Sequence, residues 1–378
     1  MALKLFDSRR RKKVAFKPLH GKTVSMYVCG VTPYDTTHLG HASTFTFFDT
    51  LSRYLTLRGF DVRYVQNITD IDEDILKRAR ETNTEWRGLV KRWSARYIEN
   101  MRRLNVCWPK RYYRATDFMD EMAAMVKRLM RMGLAYESGW AVYFDTAKFK
   151  RYGYISSFTH KQMVYLLTER EEHPDYVNMK RPEDFRMWVR SRYWEPSWDT
   201  AMGTGRPGWH IECATIINTL LGPKIDIQGG GSDLMFPHHE DTAAILDSIS
   251  GDGPYASHFM HTGMILKNGE KMSKSLGNLI MLSDLLKRYT PNAIRWVLLS
   301  HHYRSVWELD MDELRRADER VRRVERAIKS HGGDTGAGME RFFDAMDDDM
   351  DTPRALEVLE EAGGGRSAAK MFSTLGFA

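Results

Sequence analysis

A strand pattern, a helix pattern and a second strand pattern follow one another near the start of the sequence, and this order restricts the possible folds. Residues 24–29 have the composition of a buried strand, which Gly30 and a turn at Pro33 end. From His41 onward, apolar residues recur at helical spacing: Phe45, Phe48, Leu51 and Leu55. Residues 62–68 predict another strand. Such a strand–helix–strand unit begins a doubly wound α/β sheet, so the sequence predicts a Rossmann-type nucleotide-binding fold.

The rest of the chain divides into regions that differ in pattern. Residues 72–103 are predominantly helical, whereas residues from about 105 to 200 break the alternation of strands and helices. A strand-like stretch at 224–227 precedes three glycines, and the pattern beyond Pro291 is helical. An apolar stripe marks the last region: Leu314, Ala317, Val321, Val324 and Ile328. We predict two halves of a nucleotide-binding fold (1–104 and 205–290), an inserted α+β region (105–204) and a C-terminal helical bundle (291–378).

The composition limits the setting in which the protein works. The chain has 378 residues, enough for two or three domains, and it lacks an apolar run long enough to span a membrane. We therefore expect no association with a membrane. Three cysteines in a chain of this length cannot form a disulfide framework, so we expect a reducing, cytoplasmic location. The net charge of +6 is compatible with nucleic acid but is too small to argue strongly for it.

Two short motifs suggest chemistry on a nucleotide. His38 and His41 lie three residues apart at a predicted helix start, where both imidazoles share a face beside backbone N–H groups that favour anions. Far downstream, Lys271 and Lys274 lie in a loop flanked by glycines, where ammonium groups can meet the β- and γ-phosphates of ATP. Alone, the first pair fits a metal-binding or exposed histidine pair and the second a solvated lysine loop. Their joint occurrence favours ATP.

A third set of residues suggests a metal. Cys29, Cys213 and His238 offer two thiolates and an imidazole, a combination that favours zinc. Spacing alone does not show that the three side chains meet, and a buried free cysteine is the ordinary alternative. If they do meet, three protein ligands leave one open coordination position. A thiol occupies such a position better than a hydroxyl or methyl group does, so the site would select cysteine.

The motifs together resemble those of the class I aminoacyl-tRNA synthetases, whose HIGH and KMSKS motifs correspond to residues 38–41 and 271–275. The resemblance is most specific to the cysteinyl-tRNA synthetase family, which includes the shorter cysteine ligases of the mycothiol pathway, and it runs from about residue 3 to residue 360. The matching segments are residues 26–32, 38–41, 67–70, 206–213, 229–240 and 271–278. The resemblance implies the class I synthetase-type (HUP) form of the Rossmann fold and activation of cysteine as cysteinyl-adenylate.

Several positions resemble the mycothiol-pathway ligases more than the synthetases. Pro33, Gln228 and Thr242 stand where the synthetases usually have valine, histidine and a zinc-binding glutamate, and Ala42–Thr44 lacks their usual arginine. The synthetases also extend further, into an anticodon-binding region. Residues 169–174 (EREEHP) partly match the ERGGDP segment of the ligases and lack both glycines. The resemblance therefore favours glucosaminyl-inositol, an amino sugar, as the acceptor of the cysteinyl group.

The resemblance also implies roles for individual residues. His38 and His41 would stabilise the α-phosphate, and Lys271 and Lys274 the departing pyrophosphate. Cys29, Cys213 and His238 would hold one Zn²⁺ per chain. The residues that would line the cysteinyl-adenylate pocket are Cys29, Gly30, Val31, Thr32, Thr44, Asn67, Ile68, Thr69, Trp209, Gly231, Ser232, Asp233 and Ile265.

The implied partners are L-cysteine, ATP with Mg²⁺ and the amino-sugar acceptor, bound by a monomer. Two other functions stay open at this point. One is a cysteinyl-tRNA synthetase, with tRNA as the acceptor. The other is a non-catalytic paralogue that binds cysteine or its adenylate, although the intact histidines, lysines and metal-ligand candidates favour an enzyme.

Overall fold

The structure, a computed structural model, describes residues 2–35, 37–169, 177–272, 277–330 and 337–378, and for Glu169, Lys271 and Ala337 the backbone alone. The strands are β1 (Lys4–Asp7), β2 (Lys12–Ala15), β3 (Thr23–Val31), β4 (Asp61–Ile68), β5 (Tyr112–Arg114), β6 (Ala135–Ser138), β7 (Ala141–Phe144), β8 (Phe185–Val189), β9 (Trp198–Thr200), β10 (Gly203–Pro207), β11 (Ile225–Gly231), β12 (Ala256–Thr262), β13 (Ile265–Lys267), β14 (Glu270–Lys271) and β15 (Trp307–Glu308).

The helices are α1 (Leu39–Leu57), α2 (Glu73–Glu81), α3 (Trp86–Arg103), α4 (Met119–Arg131), α5 (His160–Glu169), α6 (Trp209–Leu220), α7 (His238–Ser250), α8 (Leu282–Leu285), α9 (Pro291–Ser300), α10 (Met311–Lys329), α11 (Ala337–Asp347), α12 (Thr352–Glu361) and α13 (Gly365–Thr374).

A five-stranded parallel sheet organises the protein. Its strand order is β12–β11–β3–β4–β5, and every neighbouring pair is parallel. Numbered along the chain, this is the order 3-2-1-4-5 of a Rossmann sheet, in which the direction of winding reverses between the first and fourth strands. That reversal lies between β3 and β11 and leaves a crevice at their carboxyl ends. The predicted fold class is confirmed.

Residues of β3 contribute alternately to two hydrophobic cores, one on each face of the sheet. Met26 and Val28 belong to the core that contains α1 and α9. Tyr27 and Cys29 belong to the core that contains α4, α6 and α7. Because successive side chains of a strand point to opposite faces, helices cover both sides of the sheet, as in a doubly wound fold.

A second, antiparallel sheet is inserted into this fold. Its order is β6–β7–β8–β10–β9, and all of its strands lie in the chain between β5 and β11. Its strand β10 leads directly into α6, so the inserted sheet fixes where that helix begins. The regional boundaries at 104, 204 and 290 stay a prediction, and β5 belongs to the parallel sheet although it follows residue 104.

Helices make up most of the chain beyond residue 290. Leu314, Ala317, Val321 and Val324 are buried along α10, with Ile328 partly buried beside them, which confirms the predicted apolar stripe. No helix in the described part of the chain combines the length and apolar character that crossing a bilayer requires.

Three element bounds differ from the sequence prediction. Helix α1 begins at Leu39 rather than His41, because the His38 side chain caps it by accepting from the His41 backbone N–H. The helical stretch at 72–103 is two helices, separated by a turn in which Asn83 has φ +47°. Strand β11 runs through all three glycines to Gly231, because they stay paired with β12.

A buried ion pair ties α1 to the C-terminal helices. Arg295 of α9 and Asp49 of α1 are both 0% exposed, and the guanidinium Nη2 lies 2.5 Å from the carboxylate. Arg295 also donates to the carbonyls of Leu375 (2.6 Å) and Leu104 (3.0 Å). One side chain therefore joins α1, the end of α3 and the C-terminal segment. A buried charge that loses its partner is strongly destabilising.

We predict that Asp49→Ala lowers the free energy of unfolding by about 3–5 kcal/mol, because it leaves the buried Arg295 guanidinium without a counter-charge. The matched control is Asp284→Ala, which removes an exposed ion pair with Lys287 and should change the free energy of unfolding far less. Urea unfolding followed by circular dichroism measures both variants. Equal losses in the two variants would contradict the prediction.

Candidate active site and metal centre

The residues predicted to bind the adenylate lie at or just beyond the carboxyl ends of neighbouring strands. Cys29 to Thr32 end β3, Asn67 to Thr69 end β4, Gly231 to Asp233 end β11, and Ile265 opens β13. Thr44 of α1 meets Thr262 at the end of β12, with 2.7 Å between the hydroxyl oxygens. Ligands of doubly wound sheets bind at this edge, where the winding reverses. The structure thus brings these residues to one edge, whereas their role in binding stays a prediction.

Close contact between β3 and β4 explains Gly30. Its backbone N–H donates to Asn67 Oδ1 at 2.8 Å, and the Asn67 Nδ2 donates to the Thr69 hydroxyl at 3.0 Å. A Cβ atom at residue 30 would lie 1.8 Å from the Asn67 carbonyl oxygen, so only glycine fits.

The two histidines form a stacked pair at the start of α1. Their ring centroids are 3.7 Å apart and their planes meet at 23°. The ring of His38 also accepts from the His41 backbone N–H at 3.4 Å. A Cβ atom at Gly40 would approach the His38 ring to 3.0 Å, so the glycine between the histidines permits the stack. Imidazole and backbone donors therefore converge at a helix N-terminus, which favours an anion.

Backbone hydrogen bonds link this histidine segment to the segment that follows the lysine motif. The Leu39 N–H donates to the Ile280 carbonyl at 2.9 Å, and the Leu282 N–H donates to the Thr37 carbonyl at 3.0 Å. Only the backbone of Lys271 is described, in β14, and Lys274 lies outside the described residues. The roles of both lysines stay predictions.

Cys29, Cys213 and His238 do meet. Their ligand atoms lie within 4.8 Å of one another, and all three residues are buried. The two sulfurs are 3.9 Å apart, and His238 Nε2 lies 3.2 Å from Cys213 Sγ. Two sulfurs bound tetrahedrally to one zinc ion at about 2.3 Å lie about 3.8 Å apart. The donor set and its spacing therefore fit a metal ion.

The environment shifts the pKa values of the two thiols in opposite directions. Burial opposes ionisation of Cys213, but the hydrogen bond from Cys29 and the charge of His238 hold its pKa well below the usual value. Burial and the neighbouring Cys213 raise the pKa of Cys29 well above it. Cys213 is thus the thiol that ionises first, and a thiolate is the form that binds metal.

A hydrogen-bond relay orients His238. Its Nδ1 lies 3.2 Å from Nδ1 of His210, whose Nε2 lies 3.3 Å from the Asp241 carboxylate. The Tyr152 hydroxyl donates to the other oxygen of Asp241. This arrangement leaves His238 Nε2 directed at Cys213, as a metal ligand requires. Trp209 stacks on His238 with 4.3 Å between ring centroids.

A second relay reaches Cys29. Its sulfur lies 3.2 Å from His239 Nε2, and His239 Nδ1 lies 2.8 Å from His261 Nε2. Gln228 Nε2 donates to the Gly229 carbonyl and also lies 3.1 Å from His239 Nε2 and 3.5 Å from Cys29 Sγ. Gln228, where the synthetases usually have histidine, therefore contacts both members of this relay.

The sequence motifs did not predict a role for four residues of the two relays: His210, Asp241, His239 and His261. The first three lie within three residues of Cys213 or His238, a signal that proximity in sequence offers. Their partners depend on tertiary structure. Thr242, where the synthetases have a glutamate ligand, is buried, and its hydroxyl has no hydrogen-bond partner among the described residues. If the cluster holds a metal ion, its three ligand candidates would leave one coordination position open.

The three glycines of β11 have packing reasons of their own. A Cβ atom at Gly229 would come within 2.3 Å of the Phe48 ring, and one at Gly230 within 2.9 Å of the His239 ring. At Gly231 the obstacle is the Asp233 carboxylate, at 2.4 Å. Packing therefore requires glycine at residues 229 and 230, whereas the exposed Asp233 carboxylate can move away from residue 231.

Comparison with known proteins identifies the family. The family model described as the catalytic domain of class I (C) tRNA synthetases matches residues 15–319. The chain belongs to this family. It is 41% identical over 361 residues to the L-cysteine:1D-myo-inositol 2-amino-2-deoxy-alpha-D-glucopyranoside ligase of Thermobispora bispora, covering 95% of this chain and 89% of that protein. It is 38% identical over 382 residues to the cysteine–tRNA ligase of Thermococcus gammatolerans, covering 96% and 79%.

Solved structures support the fold of this class I synthetase relative. The methionyl-tRNA synthetase of Mycobacterium tuberculosis, solved with methionyl-adenylate, superposes with a TM-score of 0.68 at 17% sequence identity. The match covers 93% of this chain and 84% of that one. At this low sequence identity, the similarity is evidence for the fold alone.

We predict that Cys213→Ser abolishes stoichiometric zinc binding, because serine cannot supply the soft, ionised ligand that the cluster needs. The control is Cys107→Ser, since Cys107 is exposed and lies outside the cluster. Metal analysis after dialysis against a zinc buffer measures both. Retention of one zinc ion per chain by Cys213→Ser would exclude this residue as a ligand.

We also predict that Asp241→Asn weakens zinc binding by about 10- to 100-fold, because it disturbs the orientation of His238 through His210. Tyr152→Phe removes the hydrogen bond from the Tyr152 hydroxyl to Asp241 and leaves the carboxylate beside His210, so it changes the affinity less. Competition with a coloured chelator gives both dissociation constants. The same loss in both variants would assign the effect to general disruption of the site.

Proposed function

We propose that this protein is an ATP-dependent cysteine ligase that forms cysteinyl-adenylate and transfers the cysteinyl group to the amine of glucosaminyl-inositol. The observation that carries the activation step is the meeting of Cys29, Cys213 and His238 at the same sheet edge as the stacked His38–His41 pair. A cysteine selector and an anion-binding helix start therefore share one crevice.

In the first step, the cysteine carboxylate attacks the α-phosphorus of ATP, and the bond to pyrophosphate breaks. His38 and His41, at the positive end of α1, stabilise the charge that develops on the α-phosphate. Lys271 and Lys274 neutralise the departing pyrophosphate, with Mg²⁺ bound to ATP. A zinc ion held by Cys29, Cys213 and His238 would bind the substrate thiol as thiolate in its open position.

In the second step, the acceptor amine attacks the acyl carbon, the bond to AMP breaks, and an amide forms as the amine loses a proton. The similarity to ligases named for an amino-sugar–inositol substrate supports this acceptor. The same acceptor is supported by Gln228 and Thr242, which stand where the synthetases usually have a histidine and a metal-binding glutamate. The predicted adenylate pocket, one zinc ion per chain, a cytoplasmic location and a monomeric state belong to the proposal.

A second candidate is a cysteinyl-tRNA synthetase, which the 38% identity to a cysteine–tRNA ligase favours. The acceptor would then be a ribose hydroxyl and the product an ester. Residues 170–174 of the ERGGDP-like segment lie outside the described residues and do not distinguish the two. The non-catalytic alternative predicts binding of cysteine without turnover.

The decisive experiment supplies zinc-loaded protein with ATP, labelled cysteine and either glucosaminyl-inositol or cysteine tRNA. We expect labelled amide with the amino sugar and no label on tRNA. Label on tRNA alone would replace the proposal by the second candidate. Failure of cysteine to promote exchange of pyrophosphate into ATP would leave the non-catalytic alternative.

We predict that His41→Asn lowers kcat for cysteine-dependent pyrophosphate exchange by about 10²- to 10³-fold, because it removes a donor that acts on the transition state. The KM for cysteine should change little, since the thiol is held elsewhere. His301→Asn changes a half-buried histidine at the C-terminal cap of α9, serves as the control and should retain the wild-type rate. A rise in KM without a fall in kcat would contradict the role given to His41.

A further inference from the structure

A buried carboxyl group next to the metal cluster has unused hydrogen-bonding capacity. Glu212 lies in the first turn of α6, immediately before Cys213, and is 1% exposed. Its Oε2 atom has no hydrogen-bond partner among the described residues. Buried polar atoms nearly always have partners, and an unsatisfied one in a cleft indicates a missing ion, water or ligand.

The groups around Glu212 are acidic or uncharged, so a bound cation would stabilise its carboxylate. Its strongest electrostatic neighbours are Cys213, Asp72 and Asp70, all of which are acidic, and the Thr69 hydroxyl hydrogen-bonds to it. None of these four side chains carries a positive charge. Burying a carboxylate among other acids is costly unless a cation completes the group.

The other acids of this cluster already have partners. Asp70 accepts from the Thr116 backbone N–H at 2.9 Å and from its hydroxyl at 2.6 Å. Asp72 caps α2 by accepting from the Asp74 N–H at 2.8 Å. The nearby Arg206 contacts Glu73 at 3.4 Å and Glu195 at 3.6 Å. Among these acids, Glu212 is the one that has a buried oxygen without a hydrogen-bond partner in the described part of the chain.

Tyr27 also lies against this group. It is fully buried, its hydroxyl hydrogen-bonds to Cys213, and its other charged neighbours are Cys29 and Glu212. Glu212 therefore shares a buried polar region with two metal-ligand candidates.

We propose that Glu212 binds the α-ammonium group of L-cysteine. This inference rests on the proposed function, because a cysteine whose thiol occupies the open metal position carries its ammonium group only three bonds from the sulfur. The ammonium group is the one cation that this substrate brings to the side of Cys213. Thr69, which hydrogen-bonds to Glu212, places the carboxyl group at the end of β4, within the predicted pocket.

The depth of Glu212 argues against the acceptor amine as its ligand. The acceptor enters after the adenylate has formed and has to reach the acyl carbon from solvent. Glu212 is almost completely covered, whereas Asp72, nearer the surface, is half-buried. The site would therefore recognise cysteine at two points, thiol and ammonium, and reject thiols that lack the amine.

The test compares L-cysteine with 3-mercaptopropionate, which keeps the thiol and carboxylate and lacks the amine. In wild-type zinc-loaded protein, pyrophosphate exchange should show a KM at least about 10-fold lower for cysteine. Glu212→Gln should raise the KM for cysteine by about 10- to 100-fold and leave that for 3-mercaptopropionate unchanged. Equal KM values for the two thiols in the wild type would overturn the proposal without requiring any variant to fold.

The matched control is Glu240→Gln. Glu240 is also a fully buried glutamate, but its carboxylate accepts from backbone N–H groups of Gly153, Ile155 and Ser156. This variant should lose stability and keep the wild-type ratio of the two KM values. Zinc content, measured on every variant, separates loss of the metal from loss of ammonium recognition.

The outcomes distinguish the two proposals. Absence of cysteine-dependent exchange in the wild type would refute the proposed function. Normal exchange with an unchanged KM ratio in Glu212→Gln would refute the role of Glu212 alone. An increase only in the KM of the amino-sugar acceptor would assign Glu212 to the second substrate and likewise overturn the inference.

Discussion

The reversal of winding between β3 and β11 is the constraint on which the site depends. Helix α1 follows β3 on one face of the sheet, whereas α6 and α7 pack on the other. Because the helices leave the sheet in opposite directions, the carboxyl ends of β3 and β11 remain uncovered. A helix start that favours an anion lies on one side of this edge, and a thiol–imidazole cluster lies on the other.

Alternate side chains of β3 face opposite sides of the sheet. Met26 and Val28 anchor the strand in the core beneath α1, and Tyr27 and Cys29 face α6 and α7. The metal-ligand candidate Cys29 is thus positioned by hydrophobic packing of its neighbours on the opposite face. The relays through His210 and His239 then fix the imidazoles around the two sulfurs.

The pattern of the sequence predicted the parallel sheet, the stripe of α10 and the histidine pair, because these depend on local periodicity and short spacing. It could not show that Cys29 meets Cys213, since 184 residues separate them and only the sheet order brings them together. Resemblance to a family supplied that expectation. The unsatisfied oxygen of Glu212 has no sequence signal, because it follows from what α6 packs against.

The hydrogen bonds between Thr37–Leu39 and Ile280–Leu282 have a mechanical consequence. They form a short antiparallel clasp, in which residues that follow the lysine-bearing segment pair with residues at the start of α1. A displacement at one strand of the clasp is carried to the other without an intervening side chain. We therefore expect the histidines proposed to bind the α-phosphate to keep a fixed position relative to the chain that follows the lysines proposed to bind pyrophosphate.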